Sequence, residues 1–290
     1  MRLRLPERVI EFPRRPLVMG IVNVNDDSFS GDGTLDFKKA VALARSQVAA
    51  GADVIDVGTE SARTNREAVP VAEELRRFRG FLERWDEVWQ GVEPRDALQI
   101  WPPVLSANTW RPEVVAGVLQ AGKVELINDM GALPDDRNAR LCAAHGAALL
   151  VMHSVGEPKI PHFQQQWADV MGELERFFEE KLALAEAAGL SPEAVILDPG
   201  IDFAKQREDN LTVFRELTRL RKLGRPVLVP VSRKTVIGEV LGLPDPSARD
   251  AGTLACISAG MARGAEIFRV HHVEAAWQAI KVLDAISNAR

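Results

Sequence analysis

The chain has 290 residues, of which 46% are hydrophobic and 27% are charged, a composition typical of a globular protein with a sizeable core. Its net charge of -5 gives no electrostatic reason to expect binding to nucleic acid or to an anionic membrane surface. Two cysteines, Cys142 and Cys256, exclude a disulfide framework and a cysteine-rich zinc site. The N-terminal residues lack the apolar segment of a signal peptide, and no apolar run is long enough to cross a bilayer, so the sequence predicts a cytoplasmic protein.

Residues 1–16 alternate apolar pairs with charges and contain three prolines, which predicts a hairpin or an extended plug. From residue 17 to residue 290, one pattern repeats: a short apolar run, a polar break and an amphipathic helical stretch. The apolar runs predict strands at 17–23, 53–57, 104–107, 124–127, 148–152, 194–197, 227–231 and 266–270. Alternating strands and helices predict a parallel sheet, and eight such units are the number that closes a single (β/α)8 TIM barrel of the α/β class.

Polar residues stand at the end of every predicted strand, which is where barrels of this kind build their sites. One such residue alone would have an ordinary explanation as a turn or a helix cap. A polar residue at each of eight strand ends favours a functional ring instead. In chain order the strand-end residues are Asn23, Asp56, Ser106, Asn108, Asn128, Asp129, Met152 with the polar His153, Asp198, Ser232, Lys234, Arg269 and His271.

The cations of the ring point to an anionic ligand. Lys234, Arg269 and His271 follow the seventh and eighth strands, the usual position of a phosphate site in this fold. A helix is predicted to begin just after Ser232, near Thr235, so that backbone N–H groups and the positive end of a helix dipole would also face an anion there.

The remaining chemistry of the ring favours binding and orientation over covalent catalysis. Asn128 and Asp198 combine amide and carboxylate groups that could bind a flat heterocycle through both donors and acceptors. The sequence has no His/Cys cluster for a transition metal, no glycine-rich nucleotide motif and no Ser or Cys nucleophile with a recognisable His partner.

Six segments at or next to the strand ends carry a family resemblance. They read MGIVNVNDDSFS at 19–30, DVGTESAR at 56–63, IND at 127–129, LDPGIDFAK at 197–205, SRK at 232–234 and RVH at 269–271. In this order, the set resembles the dihydropteroate synthase family over residues 17–287. The resemblance implies a transferase that condenses 6-hydroxymethyl-7,8-dihydropterin pyrophosphate with p-aminobenzoate and releases pyrophosphate in folate biosynthesis. It also implies Mg²⁺ as cofactor and a homodimer.

The resemblance also implies roles for individual residues. The catalytic residues would be Lys234, Asp198, Arg269 and His271. The pterin would contact Asn108, Asn128, Asp198, Met152, Lys234 and Asp202. The pyrophosphate would contact Asn23, Arg63, Arg269 and His271, with Asn23 also holding the Mg²⁺. The p-aminobenzoate would contact Ala62, Arg63, Phe203, Ser232 and Lys234.

The chain departs from the family pattern at several of these positions. The family usually has Asp at Asn108 and Gly at both Asp202 and Pro230, and it has Thr at Ala62 and Pro at Thr64. We hypothesise that Asp202 supplies a replacement for the carboxylate that is missing at Asn108; the alternative is that Asp202 is a solvated loop residue. Pro230 removes a backbone donor beside the pterin.

Two other function classes fit parts of the pattern. A pterin-binding methyltransferase of the corrinoid-dependent type shares the barrel and the Asn/Asp contacts, but its methyl-pterin carries no pyrophosphate for Lys234, Arg269 and His271 to bind. A catalytically silent pterin-binding paralogue is suggested by Asn108, Asp202 and Pro230, although a pure binder has no need of a phosphate-binding group.

Overall fold

The computed structural model describes residues 1–25, 33–60, 67–160 and 164–289. The chain begins with two short antiparallel strands, β1 (Arg2–Arg4) and β2 (Val9–Glu11). Their inward side chains share a small apolar cavity with residues from the first half of the barrel strands. The hairpin therefore covers the end of the barrel at which the strands begin. Its cavity is lined by Leu3, Leu5, Ile10, Leu17, Met19, Val54, Val104, Leu126, Ile196, Leu228 and Ile267.

Eight parallel strands form the barrel. They are β3 (Leu17–Asn23), β4 (Val54–Gly58), β5 (Val104–Asn108), β6 (Leu126–Asp129), β7 (Ala148–Met152), β8 (Val195–Asp198), β9 (Leu228–Pro230) and β10 (Ile267–Val270). The strands are hydrogen-bonded in the order β8-β7-β6-β5-β4-β3-β10-β9. A parallel bridge between Leu197 and Val227 joins the two edges of this sheet. The barrel predicted from the eight repeating units is thereby confirmed.

Helices surround the strands. They are α1 (Phe37–Ala49), α2 (Val71–Leu82), α3 (Trp85–Trp89), α4 (Pro112–Gln120), α5 (Arg137–His145), α6 (Val170–Ala187), α7 (Arg207–Glu216), α8 (Thr235–Leu241), α9 (Asp250–Ala262) and α10 (Val273–Ser287). Local signals fix their ends: the Asp36 side chain accepts the N–H groups of Lys38 and Lys39 and caps α1. Among the described residues, no helix combines the length and the apolar character needed to cross a membrane.

A buried carboxyl group, Glu266, stands just before β10. It is 8% exposed, and its Oε2 accepts the N–H of Val227 at 2.9 Å. Burial raises the pKa of Glu266 from 4.5 to about 7. Because the folded chain holds this proton more tightly than the unfolded chain, stability from this group is complete below pH 4.5 and declines as the pH rises toward 7.

Replacing Glu266 by Gln should remove that decline. The Gln oxygen can still accept the N–H of Val227, but the amide does not ionise. We expect Glu266→Gln to be more stable than the unmodified chain by up to about 3 kcal/mol at pH 8, and to match it at pH 4.5. Urea unfolding at the two pH values measures the difference, with the exposed Glu179→Gln as control. The same pH dependence in both chains would show that folding does not raise the pKa of Glu266.

Candidate active site

The polar strand ends meet at one end of the barrel because all eight strands run in the same direction. The register places Asn108 beside both Gly58 and Asn128, and it places Met152 beside Asp198. Asn108, Asn128 and Asp198 are all buried, although their side chains are polar. Buried polar groups need partners. The two amides donate to Asp56, and Asp198 accepts the N–H of Gly200.

Asp56 is the centre of the hydrogen-bond network. Its side chain is fully buried in β4, and Oδ1 accepts the Ser106 hydroxyl at 2.6 Å. Oδ2 accepts the Arg269 Nε at 2.7 Å, the Asn128 Nδ2 at 3.0 Å and the Asn108 Nδ2 at 3.3 Å. One carboxylate therefore orients a hydroxyl, two amides and a guanidinium from three other strands.

The Asp56 carboxylate fixes the orientation of the side-chain amides of Asn108 and Asn128. Because Asn108 and Asn128 both donate their NH2 groups to Asp56, their carbonyl oxygens are directed away from it. The Oδ1 of Asn128 is buried and has no hydrogen-bond partner among the described residues. Such an oxygen is costly to bury unless a ligand donor reaches it. Asn128 thus offers an acceptor for an N–H group of a bound ring.

Asp198 supplies an acidic group to the same region. Its side chain is 4% exposed at the end of β8, and Oδ1 accepts the N–H of Gly200 at 2.7 Å. Burial raises the pKa of Asp198 to about 6, while the Gly200 hydrogen bond and the charges of Lys234 and Arg269 limit the rise. At pH 7 the group is therefore mainly a carboxylate, which can accept hydrogen bonds from the N–H groups of a ligand.

Lys234 and Phe203 form the wall next to Asp198. The Lys234 Nζ donates to the backbone oxygen of Ile201 at 2.8 Å and lies 4.9 Å from the centre of the Phe203 ring, within range of a cation–π contact. Burial lowers the pKa of Lys234, and the carboxylates of Asp202 and Asp198 oppose that change. The structure thus brings together the cation and the aromatic ring that the resemblance assigned to the p-aminobenzoate.

The start of α8 does bind an anion, but that anion is Asp202. Its carboxylate accepts the backbone N–H groups of Thr235 and Val236. The Asn210 side chain holds it from the other side, with Nδ2 3.3 Å from Oδ1. The sequence prediction of a substrate anion at this helix start is therefore wrong for these two N–H groups. These hydrogen bonds make Asp202 a helix cap, and its role at the pterin stays a prediction.

A substitution separates the two roles of Asp202. Asn tolerates the left-handed backbone at this position, where φ is 68°, and its oxygen can still cap α8. If Asp202 is only a cap, Asp202→Asn should lower stability by about 0.5–1 kcal/mol and change kcat/KM for the pterin substrate by less than about threefold. Urea unfolding and steady-state kinetics measure both. A loss of kcat/KM near tenfold or more in a folded variant would instead place the carboxylate at the pterin.

Three of the four predicted phosphate-binding residues, Asn23, Arg269 and His271, lie at or just after the ends of β3 and β10. Ser232 accepts the N–H of His271 at 3.1 Å, and its Oγ lies 2.8 Å from His271 Nδ1. Arg269 is 2.7 Å from Asp56, so its charge is compensated while the guanidinium stays 19% exposed. Asn23 ends β3, and a Cβ built on Gly58 would lie 3.7 Å from the Asn23 Oδ1, an ordinary van der Waals distance.

Three predicted site residues need separate mention. Met152 is 2% exposed and lies beside Asp198 in the sheet, so its side chain is part of the buried floor. Ala62 and Arg63 lie outside the described residues, and their predicted contacts with p-aminobenzoate and pyrophosphate stay predictions.

The sequence assignment gave no role to four residues that organise this site. The sequence predicts Asp56, Ser106 and His153 at strand ends but indicates no function for them, and it indicates none for Lys205. The signal for Asp56 was its position inside the apolar run of β4, because a buried carboxylate requires donors from its neighbours. The donors themselves lie 50 to 213 residues away in the chain.

Comparison with known proteins agrees with this geometry. Residues 19–271 match the family of pterin binding enzymes. The chain is 39% identical to the dihydropteroate synthase of Synechocystis sp., with 98% of this chain and 94% of the relative aligned. It is 36% identical to that of Escherichia coli, over 95% of this chain and 93% of the relative.

Solved structures of the same kind superpose on the whole chain. A dihydropteroate synthase of Xanthomonas albilineans, solved with 4-aminobenzoic acid, has a TM-score of 0.85, 35% identity and full coverage of both chains. A Thermus thermophilus dihydropteroate synthase, solved with 6HMPPP, has a TM-score of 0.78 and 33% identity and aligns with 99% of this chain and all of its own. Sequence, fold and site therefore agree, and the chain belongs to the dihydropteroate synthase family of pterin binding enzymes.

Proposed function

We propose that this transferase condenses 6-hydroxymethyl-7,8-dihydropterin pyrophosphate with p-aminobenzoate and releases pyrophosphate. The observation that carries the proposal is the mixed set of groups at one end of the barrel. Acceptors and a carboxylate suited to a pterin, at Asn128 and Asp198, share this end with cations suited to pyrophosphate, at Arg269 and His271. A methyl-pterin-binding protein would have no use for the cations.

The polar floor suits the pterin ring. The free Oδ1 of Asn128 can accept a ring N–H, and the ionised Asp198 can accept two parallel N–H groups from the amino-pyrimidine edge. Lys234 can donate to a ring acceptor while its stem remains beside Phe203. Asn108 presents an amide oxygen where the family usually has a carboxylate, so Asp56 and Asp198 are the two carboxylates of this floor among the described residues.

The proposed reaction needs orientation and charge stabilisation more than proton transfer. The C–O bond between the pterin methylene and pyrophosphate breaks, and the bonding electrons leave with the pyrophosphate. The neutral arylamine nitrogen donates its lone pair to the methylene carbon and then loses a proton to solvent. Asp56 and Asp198 would stabilise the positive charge that develops on the pterin, while Arg269 and His271 would stabilise the leaving pyrophosphate.

The donor set is compatible with Mg²⁺ as the cofactor. The described residues contain no cluster of three His, Cys, Asp or Glu side chains that could hold a metal ion. Mg²⁺ does not need one, because it commonly binds one or two protein oxygens and takes its other ligands from water and substrate phosphates. Asn23, at the end of β3, would provide such an oxygen. The metal would neutralise charge on the leaving pyrophosphate.

A homodimer is the assembly that we propose. Apolar side chains on the late helices support it: Val240 and Leu241 of α8 are about half exposed, and Val282 and Ile286 of α10 are 59% and 67% exposed. Both α8 and α10 pack against α9, and exposed apolar patches are typical of a protein interface. Sedimentation equilibrium tests the stoichiometry. The cytoplasmic location stays a prediction from the sequence.

The proposed reaction is tested by identifying its product. The chain is incubated with the pterin pyrophosphate, p-aminobenzoate and Mg²⁺, and the product is analysed by mass spectrometry. We expect dihydropteroate, with formation stopped by a chelator and restored by added Mg²⁺. Absence of the condensed product would contradict the proposed function, and formation that resists chelation would contradict the metal requirement alone.

A further inference from the structure

The turn that follows β8 has an unfavourable backbone conformation that needs stabilising contacts from other residues. Residues 199–205 include Asp202 and Ala204, two non-glycine residues with left-handed φ angles of 68° and 49°. L-residues seldom adopt this conformation, and they keep it only where surrounding contacts enforce it. The turn carries Phe203, whose ring faces Lys234. The position of that ring therefore depends on whatever holds the turn.

Lys205 holds the turn from inside the protein. Its side chain is buried, and Nζ lies 2.7 Å from His153 Nδ1, 3.2 Å from the Gly200 oxygen and 3.2 Å from the Phe203 oxygen. An ammonium group has three protons and these are three acceptors, so each proton has one partner. The two carbonyl groups belong to the turn itself. The third partner, His153, directly follows β7.

His153 is fixed as the third acceptor. Its ring is 1% exposed and packs edge-on against Phe177 at 4.8 Å and against Trp167 at 5.7 Å. Burial and the nearby charge of Lys205 lower the pKa of His153 to about 2, so the imidazole is neutral and Nδ1 can accept. Trp167 adds a second tie, because its Nε1 donates to the Ala204 oxygen at 2.8 Å.

We infer that Lys205 is a positioning residue for the amine-binding part of the active site: its ammonium joins the Gly200 and Phe203 carbonyls to His153 and so sets the Phe203 ring against Lys234. Lys205 itself is buried behind the turn and does not need to contact the substrate. The inference rests on the proposed function, in which Phe203 lines the p-aminobenzoate site.

The surroundings of Lys205 also predict how its hold on the turn at residues 199–205 changes with pH. The titratable groups that influence it or contact it are Asp198, Asp209, Glu173, Lys234 and His153. Burial lowers the pKa of Lys205 to about 7, and the carboxylates of Asp198 and Asp209 oppose that change. A neutral amine has two protons for the three acceptors, so the turn should loosen as the pH rises above 7, and the KM for the amine should rise with it.

The test uses two substitutions and one control in the full chain. Lys205→Met keeps the length of the side chain and removes all three donors. His153→Phe keeps the ring packing against Phe177 and removes the acceptor. Lys123→Met removes a lysine that donates to Asp86 from the segment between α4 and β6. Each variant is characterised by steady-state kinetics for both substrates and by hydrogen–deuterium exchange of peptides that cover 199–206.

We expect Lys205→Met to raise the KM for p-aminobenzoate by about tenfold or more, to leave the KM for the pterin within about threefold, and to speed exchange in the turn. His153→Phe should change both quantities in the same direction by less, and Lys123→Met should change neither. The rise of amine KM above pH 7 should disappear in Lys205→Met. If Lys205→Met does not fold, the KM and exchange measurements on His153→Phe test the inference instead.

Two results would overturn the inference: unchanged exchange in the turn, or faster exchange with an unchanged KM for the amine. Failure of the proposed function gives a different result, because the unmodified chain would then form no product. In that case calorimetric titration of the chain with p-aminobenzoate replaces the KM. Weaker amine binding by Lys205→Met would uphold the inference, and equal binding would overturn it.

Discussion

Replacing Lys234 by Ala is expected to lower kcat/KM by about 100- to 1000-fold, the loss seen when one preorganised charged donor is removed from an active site. Lys234 lies between the groups proposed for the pterin and those proposed for the amine. Its Nζ donates to the Ile201 oxygen, lies over the Phe203 ring and interacts with the charge of Asp198. The variant loses a pterin donor and one wall of the amine site together. Steady-state kinetics with each substrate varied in turn measures the effect.

The matched control for this prediction is Lys123→Ala, which removes a partly exposed lysine paired with Asp86. It should retain full activity, since exposed ion pairs contribute little. Unfolding experiments establish that Lys234→Ala is folded, and α8 keeps its cap from Asp202. A folded Lys234→Ala chain with more than about a tenth of the normal kcat/KM would contradict the role given to this residue.

Replacing Arg15 by Met is expected to lower the free energy of unfolding by about 3–5 kcal/mol, because it leaves a buried carboxylate without its counter-charge. Arg15 is 1% exposed, and Asp53 is fully buried. Their side chains make contacts of 3.2 and 3.4 Å just before β3 and β4, at the end of the barrel opposite the site. Burial raises the pKa of Asp53, and the charge of Arg15 opposes that rise. Urea unfolding measures the loss.

Two further variants make this stability prediction specific. Arg2→Met breaks an exposed pair with Glu193 and should cost less than about 1 kcal/mol. Adding Asp53→Asn to Arg15→Met should recover part of the lost stability, since the unpaired charge is then gone. A double variant that is less stable than Arg15→Met would show that the hydrogen bonds from Val18 and Ile100 to Asp53, and not the ion pair, dominate.

The order and number of the strands could be predicted because each buried parallel strand is a nearly continuous apolar run. The bounds of β3 and β7 agree with the prediction, since both runs are apolar up to a clear break. The prediction failed by two residues at β6, where Leu126–Asp129 replaces 124–127. Asn128 and Asp129 suggest a turn in sequence, but both are buried, where Asn128 donates to Asp56 and Asp129 accepts from Asn138.

The site was predicted in its composition but not in its connections. Polar strand ends identify which side chains gather at one end of the barrel, because that follows from the strand direction. They do not reveal that Arg269 and Asp56, 213 residues apart, form an ion pair in which Nε donates to Oδ2 at 2.7 Å. Nor do they reveal that Asp202 reaches 33 residues along the chain to cap α8, because this depends on a left-handed turn that a sequence pattern does not encode.

The measurement that tests the central claim most directly is pyrophosphate release from 6-hydroxymethyl-7,8-dihydropterin pyrophosphate and Mg²⁺, followed with and without p-aminobenzoate. We predict release that depends on the amine and is lost in Lys234→Ala. Such a result would show that Asn108, Asp202 and Pro230 are compatible with the transferase reaction. Tight binding of the pterin by calorimetry, with no release in the presence of the amine, would contradict the claim and identify a protein that binds the pterin without turning it over.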